Sequence, residues 1–162
     1  MGVIGRRKVK RTKSHKHSTT INGKLYDFFE FYNYKLFNSY IYGWESDFFA
    51  ISKAGYTIEI ETKIDKNDFK KDFTKRSRDG FLKHDQLLNE ENKDKPNKFY
   101  FACPDGLINK EDIDKKYGLI WVSDNYVRVM KEPMFLHKDK ILDSKYYLKK
   151  LLDKFYYKTL KT

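Results

Sequence analysis

The sequence YTIEIETKIDKNDFKKDF, residues 56–73, begins with alternating polar and apolar side chains and continues into a charged segment. The alternation predicts a strand, in which successive side chains point to opposite faces of a sheet. Glu61 and Lys63 are two residues apart and therefore share one face, whereas Ile58 and Ile60 point to the other. The stretch thus places a carboxylate and an ammonium group side by side where the strand ends.

A second acid lies one predicted strand upstream, in WESDFFAIS, residues 44–52. Asp47 in this stretch approaches Glu61 if the two strands pair as a hairpin through the short link at 53–55. Two carboxylates and a lysine at one sheet edge can hold a divalent metal and a water beside a phosphate. Glu61-x-Lys63 alone is more often a solvated strand face with an ion pair. Together with Asp47 it predicts a metal-dependent nuclease.

Composition limits the classes of protein that this chain can be. Its 162 residues suffice for one domain with a real core, and 17% of them are aromatic. No run of about 18 apolar residues occurs, which argues against a membrane-spanning helix. The single Cys103 cannot form an intramolecular disulfide. These features and the Lys-, Asn-, Tyr- and Phe-rich usage predict a cytoplasmic protein of a bacterial or phage-infected cell, with a virion as the alternative.

Positive charge is concentrated at the N-terminus. The chain carries a net charge of +11, and residues 1–20 contribute seven Lys or Arg and no acid, which leaves +4 for the remainder. We predict a flexible basic arm that binds a polyanion by displacing its counterions, without reading sequence. A solvated tail without a partner is the alternative. The basic residues are Arg6, Arg7, Lys8, Lys10, Arg11, Lys13 and Lys16.

The rest of the chain is predicted as one domain, residues 21–162, in which helices and strands alternate. A strand–helix–strand passage favours a parallel pair joined by a right-handed crossover, whereas the short links favour antiparallel hairpins. The sequence therefore predicts an α/β fold with a mixed central sheet flanked by helices. The predicted elements are a helix at 24–40, strands at 46–52 and 56–63, a helix at 68–90, strands at 98–103, 118–123 and 126–131, and a helix at 143–160.

An ordered set of motifs resembles the PD-(D/E)XK nuclease superfamily, and within it the small MmcB-like DNA-repair nucleases and related phage proteins. The motifs are an acid that opens one strand, an E-x-K triplet that closes the next, a D-F-x-x-D segment and an apolar strand. The likeness covers roughly residues 25–130, and TKRSRDGFL at 74–82 departs from the family pattern. The motifs lie at Asp47, Glu61 to Lys63, Asp68 to Asp72, and KFYFACPDGLI at 98–108.

The resemblance implies a restriction-endonuclease-like αβββαβ core and a metal-dependent phosphodiesterase. By this resemblance Asp47 and Glu61 bind Mg²⁺ or Mn²⁺, with the carbonyl oxygen of Thr62 as a third ligand. Lys63 orients or helps to deprotonate the attacking water, or stabilises the charge on the phosphate. The superfamily often places a further carboxylate on its first helix, for which Glu30 is the candidate here.

Several assignments stay open at this stage. Asp27, one turn before the Glu30 candidate, is the alternative to it, and Glu59 is either a second metal ligand or a solvated side chain. Lys75, Lys83 and His84 are predicted to contact a phosphate backbone, with a solvated helix face as an equal alternative. DNA is the predicted nucleic acid, and the sequence does not decide between a monomer and a homodimer. A non-catalytic nucleic-acid-binding or virion-associated protein on a nuclease-like fold is the alternative function.

Overall fold

The computed structural model describes residues 7–8, 21–140 and 144–159. Of the predicted arm, Arg6, Lys10, Arg11, Lys13 and Lys16 lie outside the described residues. The elements, numbered in chain order, are β1 (Arg7–Lys8), α1 (Ile21–Phe28), β2 (Tyr34–Ser39), β3 (Ser46–Ile51), β4 (Thr57–Thr62), α2 (Lys66–Asp72), α3 (Lys83–Leu88), β5 (Lys98–Pro104), a 3₁₀ turn (Lys110–Asp112), β6 (Gly118–Val122), β7 (Tyr126–Lys131) and α4 (Ser144–Thr159).

The described strands form one mixed seven-stranded sheet in the order β1-β7-β6-β5-β4-β3-β2. Strands β2, β3 and β4 form an antiparallel meander, and β4 then pairs in parallel with β5 through a crossover that contains α2 and α3. Strands β5 and β6 are also parallel, and β7 turns back antiparallel on β6. The predicted α/β fold with its mixed sheet, hairpins and parallel crossover is therefore confirmed.

Helices cover both faces of the sheet, as predicted. On one face Leu25 of α1 belongs to an apolar cluster with Phe48 of β3. On the other face Leu87 of α3 and Tyr147 of α4 join the core, and the Tyr147 ring stacks on Phe49 with centroids 5.6 Å apart. We call these two surfaces the α1 face and the α3 face. Each strand between them must divide its side chains between two separate clusters.

The predicted helix at 24–40 is wrong beyond α1, because Tyr34–Ser39 form the edge strand β2. Leu36 lies in the cluster of the α3 face, whereas the adjacent Phe37 packs on Phe48 of the α1 face, with ring centroids 5.1 Å apart. Adjacent side chains on opposite faces are a property of strands. The helical spacing of the aromatic residues in this segment is coincidental.

The predicted helix at 68–90 is interrupted and forms the separate helices α2 and α3. In the segment between them, Arg76 and Leu82 form an isolated antiparallel bridge. Gly80 within this small turn has a φ of +85°, a left-handed conformation that glycine adopts without steric cost. The departure from the family pattern at 74–82 is therefore a short hairpin-like segment rather than helix.

The predicted C-terminal helix is confirmed as α4. It also braces the β2–β3 connection, because the Tyr146 hydroxyl donates to the backbone oxygen of Ile41 at 2.6 Å. Among the helices of the described ranges, none combines the length and apolar character needed to cross a membrane.

Candidate functional site

The carboxyl groups of Asp47 and Glu61 meet where β3 begins and β4 ends. The antiparallel register pairs Phe48 with Ile60, which brings Asp47 next to the end of β4. The backbone N–H of Thr62 donates to Asp47 Oδ2 at 2.8 Å. Burial and the adjacent Glu61 carboxyl raise the pKa of Asp47 to about 7, and the Thr62 hydrogen bond offsets them only in part. The structure thus brings together the two acids that the sequence singles out.

Glu61 is fully buried, and its two oxygens have different surroundings. Oε1 lies 2.6 Å from Lys75 Nζ and 2.7 Å from Lys83 Nζ. Oε2 is buried, and no donor among the described residues forms a hydrogen bond with it. Burial opposes ionisation, but the nearby ammonium groups, led by Lys83, outweigh it and lower the pKa of Glu61 below its usual value. Glu61 is therefore a buried carboxylate with no fixed N–H or O–H donor at Oε2, and the neighbouring Asp47 carboxyl shares a hydrogen bond with Glu61 when Asp47 is protonated.

Lys83 connects Glu61 to a second buried acid. Its Nζ lies 3.1 Å from Glu59 Oε1, and the Lys83 side chain is wholly enclosed. The indole N–H of Trp44 donates to the same carboxylate at 2.8 Å. Burial alone would lower the pKa of Lys83, but Glu59 and Glu61 raise it above its usual value. The Trp44 N–H lies within hydrogen-bond distance of both oxygens of Glu59, and Lys83 also contacts Oε1. Glu59 is thus neither solvated nor open to a metal.

Lys63 is buried on the same face and is held by an acid of helix α2. Its Nζ lies 2.7 Å from Asp72 Oδ1, while Asp72 Oδ2 lies 2.6 Å from His84 Nε2. The other ring nitrogen of His84 lies 2.7 Å from the hydroxyl of Tyr117. Burial opposes ionisation of Asp72, but the His84 hydrogen bond and the nearby lysines lower its pKa far below the usual range. The chain from Tyr117 to Asp72 therefore fixes the position of the Lys63 ammonium group.

The structure separates other predicted residues from this cluster. Glu30 is exposed in the turn after α1, and α1 packs on the α1 face, so it does not meet Asp47. The predicted contacts of Lys83 and His84 with a nucleic-acid backbone are wrong for this structure, because both side chains are buried and bonded to acids. Lys75 retains partial exposure and can reach a phosphate.

A pocket of about 440 Å³ opens beside Asp47. Its walls come from the β2–β3 connection, the start of β3 and the segment between α2 and α3. Because Lys75 lines this pocket and also contacts Glu61, the pocket leads to the carboxyl pair. The lining residues are Tyr40, Gly43, Trp44, Glu45, Asp47, Lys75, Arg76, Ser77 and Arg78.

The donor set at the carboxyl pair fits a hard divalent cation. Mg²⁺ prefers oxygen ligands, is commonly held by one or two carboxylates and keeps several waters. Asp47 and the unbonded Oε2 of Glu61 supply two such ligands. Within the part of the chain that the structure describes, no group of three or more His, Cys, Asp or Glu side chains could hold a metal. A site here therefore depends on these two carboxyls, a backbone oxygen and water.

Sequence reasoning missed the partners that hold the cluster in place. In the sequence Asp72 stands out only as part of the D-F-x-x-D segment, and no motif marks Tyr117. The sequence feature that could have predicted the Asp72–Lys63 contact is the short link between β4 and α2. This link places α2 beside the end of β4, where Asp72 contacts Lys63.

Comparison with known proteins gives a fold and no activity. No family model matches the chain, and no curated protein matches it. Among solved structures it is similar to SPO1766, a protein of unknown function from Silicibacter pomeroyi, with 12% sequence identity and a TM-score of 0.51. The similarity covers 78% of this chain and 80% of that chain. At this level of identity the likeness concerns the fold alone.

Proposed function

We propose that this chain is a divalent-metal-dependent nuclease that hydrolyses phosphodiester bonds of DNA on a restriction-endonuclease-like core. The observation that carries the proposal is the pair of Asp47 and Glu61, in which a carboxylate oxygen without a donor is buried near a second carboxyl of raised pKa. Two carboxyls this close repel each other when both are ionised. A divalent cation between them removes that repulsion.

The topology supports the same proposal. The order α1, β2, β3, β4, then α2 with α3, and β5 agrees with the αβββαβ order that the resemblance implies. The carboxyl pair lies at the carboxyl end of β4, beside the parallel strand β5. Open α/β sheets bind ligands at the carboxyl ends of their parallel strands.

Three oxygens would hold the cation, namely one from Asp47, Oε2 of Glu61 and the backbone carbonyl of Thr62. When bound, Mg²⁺ or Mn²⁺ would lower the pKa of a water and screen the charge of the phosphate. The Thr62 N–H keeps Asp47 oriented toward the end of β4. Lys75 and Lys83 hold the other oxygen of Glu61, so that the carboxylate cannot rotate freely.

Two lysines act on the phosphate and the water. Lys63 orients the attacking water or stabilises negative charge on the phosphate, and Asp72 fixes its ammonium group for that role. His84 and Tyr117 position Asp72 through hydrogen bonds. Lys75 spans the pocket and the carboxyl pair, and it draws a phosphate toward Asp47.

A second candidate is a nucleic-acid-binding protein without catalysis. The specific observation in its favour is that two ammonium groups already neutralise Glu61, one from Lys75 and one from Lys83. If these ion pairs satisfy the acid fully, a cation gains little by binding there.

Cleavage assays distinguish the two candidates. The full-length protein is incubated with labelled DNA and Mg²⁺ or Mn²⁺, and chelator is expected to abolish cutting. We expect Glu61→Gln and Lys63→Ala each to lower the cleavage rate at least about 100-fold, because each removes a group that acts on the reacting phosphate. DNA binding should persist in both variants. Glu111→Gln, an exposed acid of the 3₁₀ turn, is the matched control and should cut normally.

Circular dichroism of each variant checks that the fold is retained. Cutting by Glu61→Gln at the parent rate would show that the site assignment is wrong. Binding of DNA by the parent without cutting under any metal would favour the second candidate.

A further inference from the structure

The pocket beside Asp47 has the size and charge for a single nucleotide. Its volume of about 440 Å³ falls within the range of sites for small ligands. Lys75, Arg76 and Arg78 line it against the two acids Glu45 and Asp47. Because Lys75 is also paired with Glu61, the positive charge that a phosphate meets first is that of the exposed Arg76 and Arg78.

The two walls of the pocket are joined through the backbone. The N–H of Arg78 donates to the carbonyl oxygen of Gly43 at 2.7 Å. A Cβ atom on Gly43 would lie only 3.3 Å from Cβ of Ser77, so glycine permits this close approach. The N–H of Ser77 also donates to the oxygen of Phe81 at 2.7 Å, which closes the turn that carries Arg78. The pocket is therefore formed before any ligand enters.

One aromatic ring of the pocket is free to stack. Tyr40 is 51% exposed, and it lies in the β2–β3 connection that α4 braces through Tyr146 and Ile41. Trp44, by contrast, is buried, and its N–H is bonded to Glu59. Exposed aromatic rings in basic grooves bind bases of single strands by stacking, with little regard to sequence.

We infer that this pocket binds one unpaired nucleotide, with its base on Tyr40 and its phosphate among Lys75, Arg76 and Arg78. The inference rests on the proposed nuclease function and adds a substrate class, namely single-stranded nucleic acid or an unpaired end rather than continuous duplex. A base inside a duplex is paired and stacked, and it must leave the helix before it can enter a pocket.

Binding without cleavage tests this inference. The full-length protein is titrated in chelator against a labelled single-stranded oligonucleotide of about 12 residues and against the blunt duplex that it forms with its complementary strand, and anisotropy is measured. We expect the single strand to bind at least tenfold more tightly. Tyr40→Ala should weaken single-strand binding about tenfold through lost stacking, and Arg78→Ala should weaken it several-fold. Lys53→Ala, an exposed change at the opposite end of the β3–β4 hairpin, should leave it unaltered.

A 2-aminopurine base placed at the end or in the middle of the oligonucleotide reports stacking directly. Its fluorescence should change on binding to the parent protein and remain unchanged with Tyr40→Ala. Equal affinity for single strand and duplex, or unaltered binding by both Tyr40→Ala and Arg78→Ala, would overturn the inference. These readouts need no metal and no cleavage, so they can support the inference even if the nuclease proposal fails. Conversely, cleavage of intact duplex at the single-strand rate would contradict the inference and leave the nuclease proposal standing.

Discussion

Strand β4 has two faces of opposite chemistry, although both are buried. On the α1 face Ile58 and Ile60 lie in an apolar cluster, whereas Glu59, Glu61 and Lys63 point to the α3 face. An apolar face needs only the right volume, but each buried ion costs several kcal/mol of desolvation before its partners offset it. Stability alone does not account for such a set of charges at one strand end. The contrast teaches that ion pairs hold the α3 face of β4 and apolar packing holds its α1 face, and the proposed function assigns the chemistry to the α3 face.

The largest expected effect on stability comes from removing Lys83, the cation at the centre of the charged α3 face of β4. Lys83→Met leaves Glu59 and Glu61 buried without their shared cation, which should lower the free energy of unfolding by about 3–5 kcal/mol. Urea denaturation followed by circular dichroism measures the loss. Lys53→Met, an exposed lysine, is the control and should change stability little. An equally small effect of Lys83→Met would mean that the buried charges are not coupled as the distances indicate.

The next largest effect is a dependence of the free energy of unfolding on pH, which the carboxyl groups of the α3 face can produce and the apolar α1 face cannot. The pKa of Asp47 is about 7 in the folded protein, against an ordinary value near 4 in the unfolded chain. Between these values the folded state keeps a proton that the unfolded state releases, so the contribution of Asp47 to stability is lost as pH rises through 7. Measured in chelator, the stability of Asp47→Asn relative to the parent should therefore rise by about 2.5 kcal/mol from pH 5 to pH 8. A difference that stays flat with pH would show that Asp47 titrates normally.

A divalent cation should act on the charged face at about pH 8, where both carboxyls are ionised. At ten times its dissociation constant, Mg²⁺ or Mn²⁺ should stabilise the parent by about 1.4 kcal/mol, because it binds the folded state alone. Asp47→Asn should lose most of this response, and Glu111→Gln should keep it. Thermal unfolding with and without the metal measures the shift, and equal shifts in all three proteins would place the cation elsewhere.

The smallest effect belongs to the apolar face. Ile60→Val removes one methylene group and should lower the free energy of unfolding by about 1 kcal/mol. Its pH profile, its response to Mg²⁺ and its cleavage rate should match those of the parent. An altered pH profile in this variant would show that the two faces of β4 are not independent.

Local patterns predicted most of the fold and failed where one pattern fits two structures. The hairpins β3–β4 and β6–β7 follow from strict alternation and short links, and the parallel crossover follows from the intervening helical segments. Strand β2 was missed because Leu36 and Phe37 fit one helix face as well as two faces of a strand. The break between α2 and α3 depends on Gly80 and on the bridge of Arg76 with Leu82, which periodicity does not reveal.

The sequence could predict only those site residues whose positions follow from strand alternation and hairpin register. Asp47 and Glu61 were expected to meet because hairpin register brings them together, and the structure does so. The burial of Lys83 and the bonding of His84 to Asp72 depend on how α2 and α3 pack across the sheet. Such contacts between distant elements leave no mark in a single sequence.

In the proposed nuclease, the pairing of β1 with β7 sets the distance between the start of the basic arm and the carboxyl pair. Arg7 pairs with Val127, which pairs with Val122 at the carboxyl end of β6, the same edge of the sheet that holds Asp47. Five strand intervals of about 4.8 Å separate β1 from β3, or about 24 Å in all. A single strand must extend across this distance to contact both the carboxyl pair and the N-terminal basic residues. Oligonucleotides shorter than this should gain nothing from the basic arm, whatever their sequence.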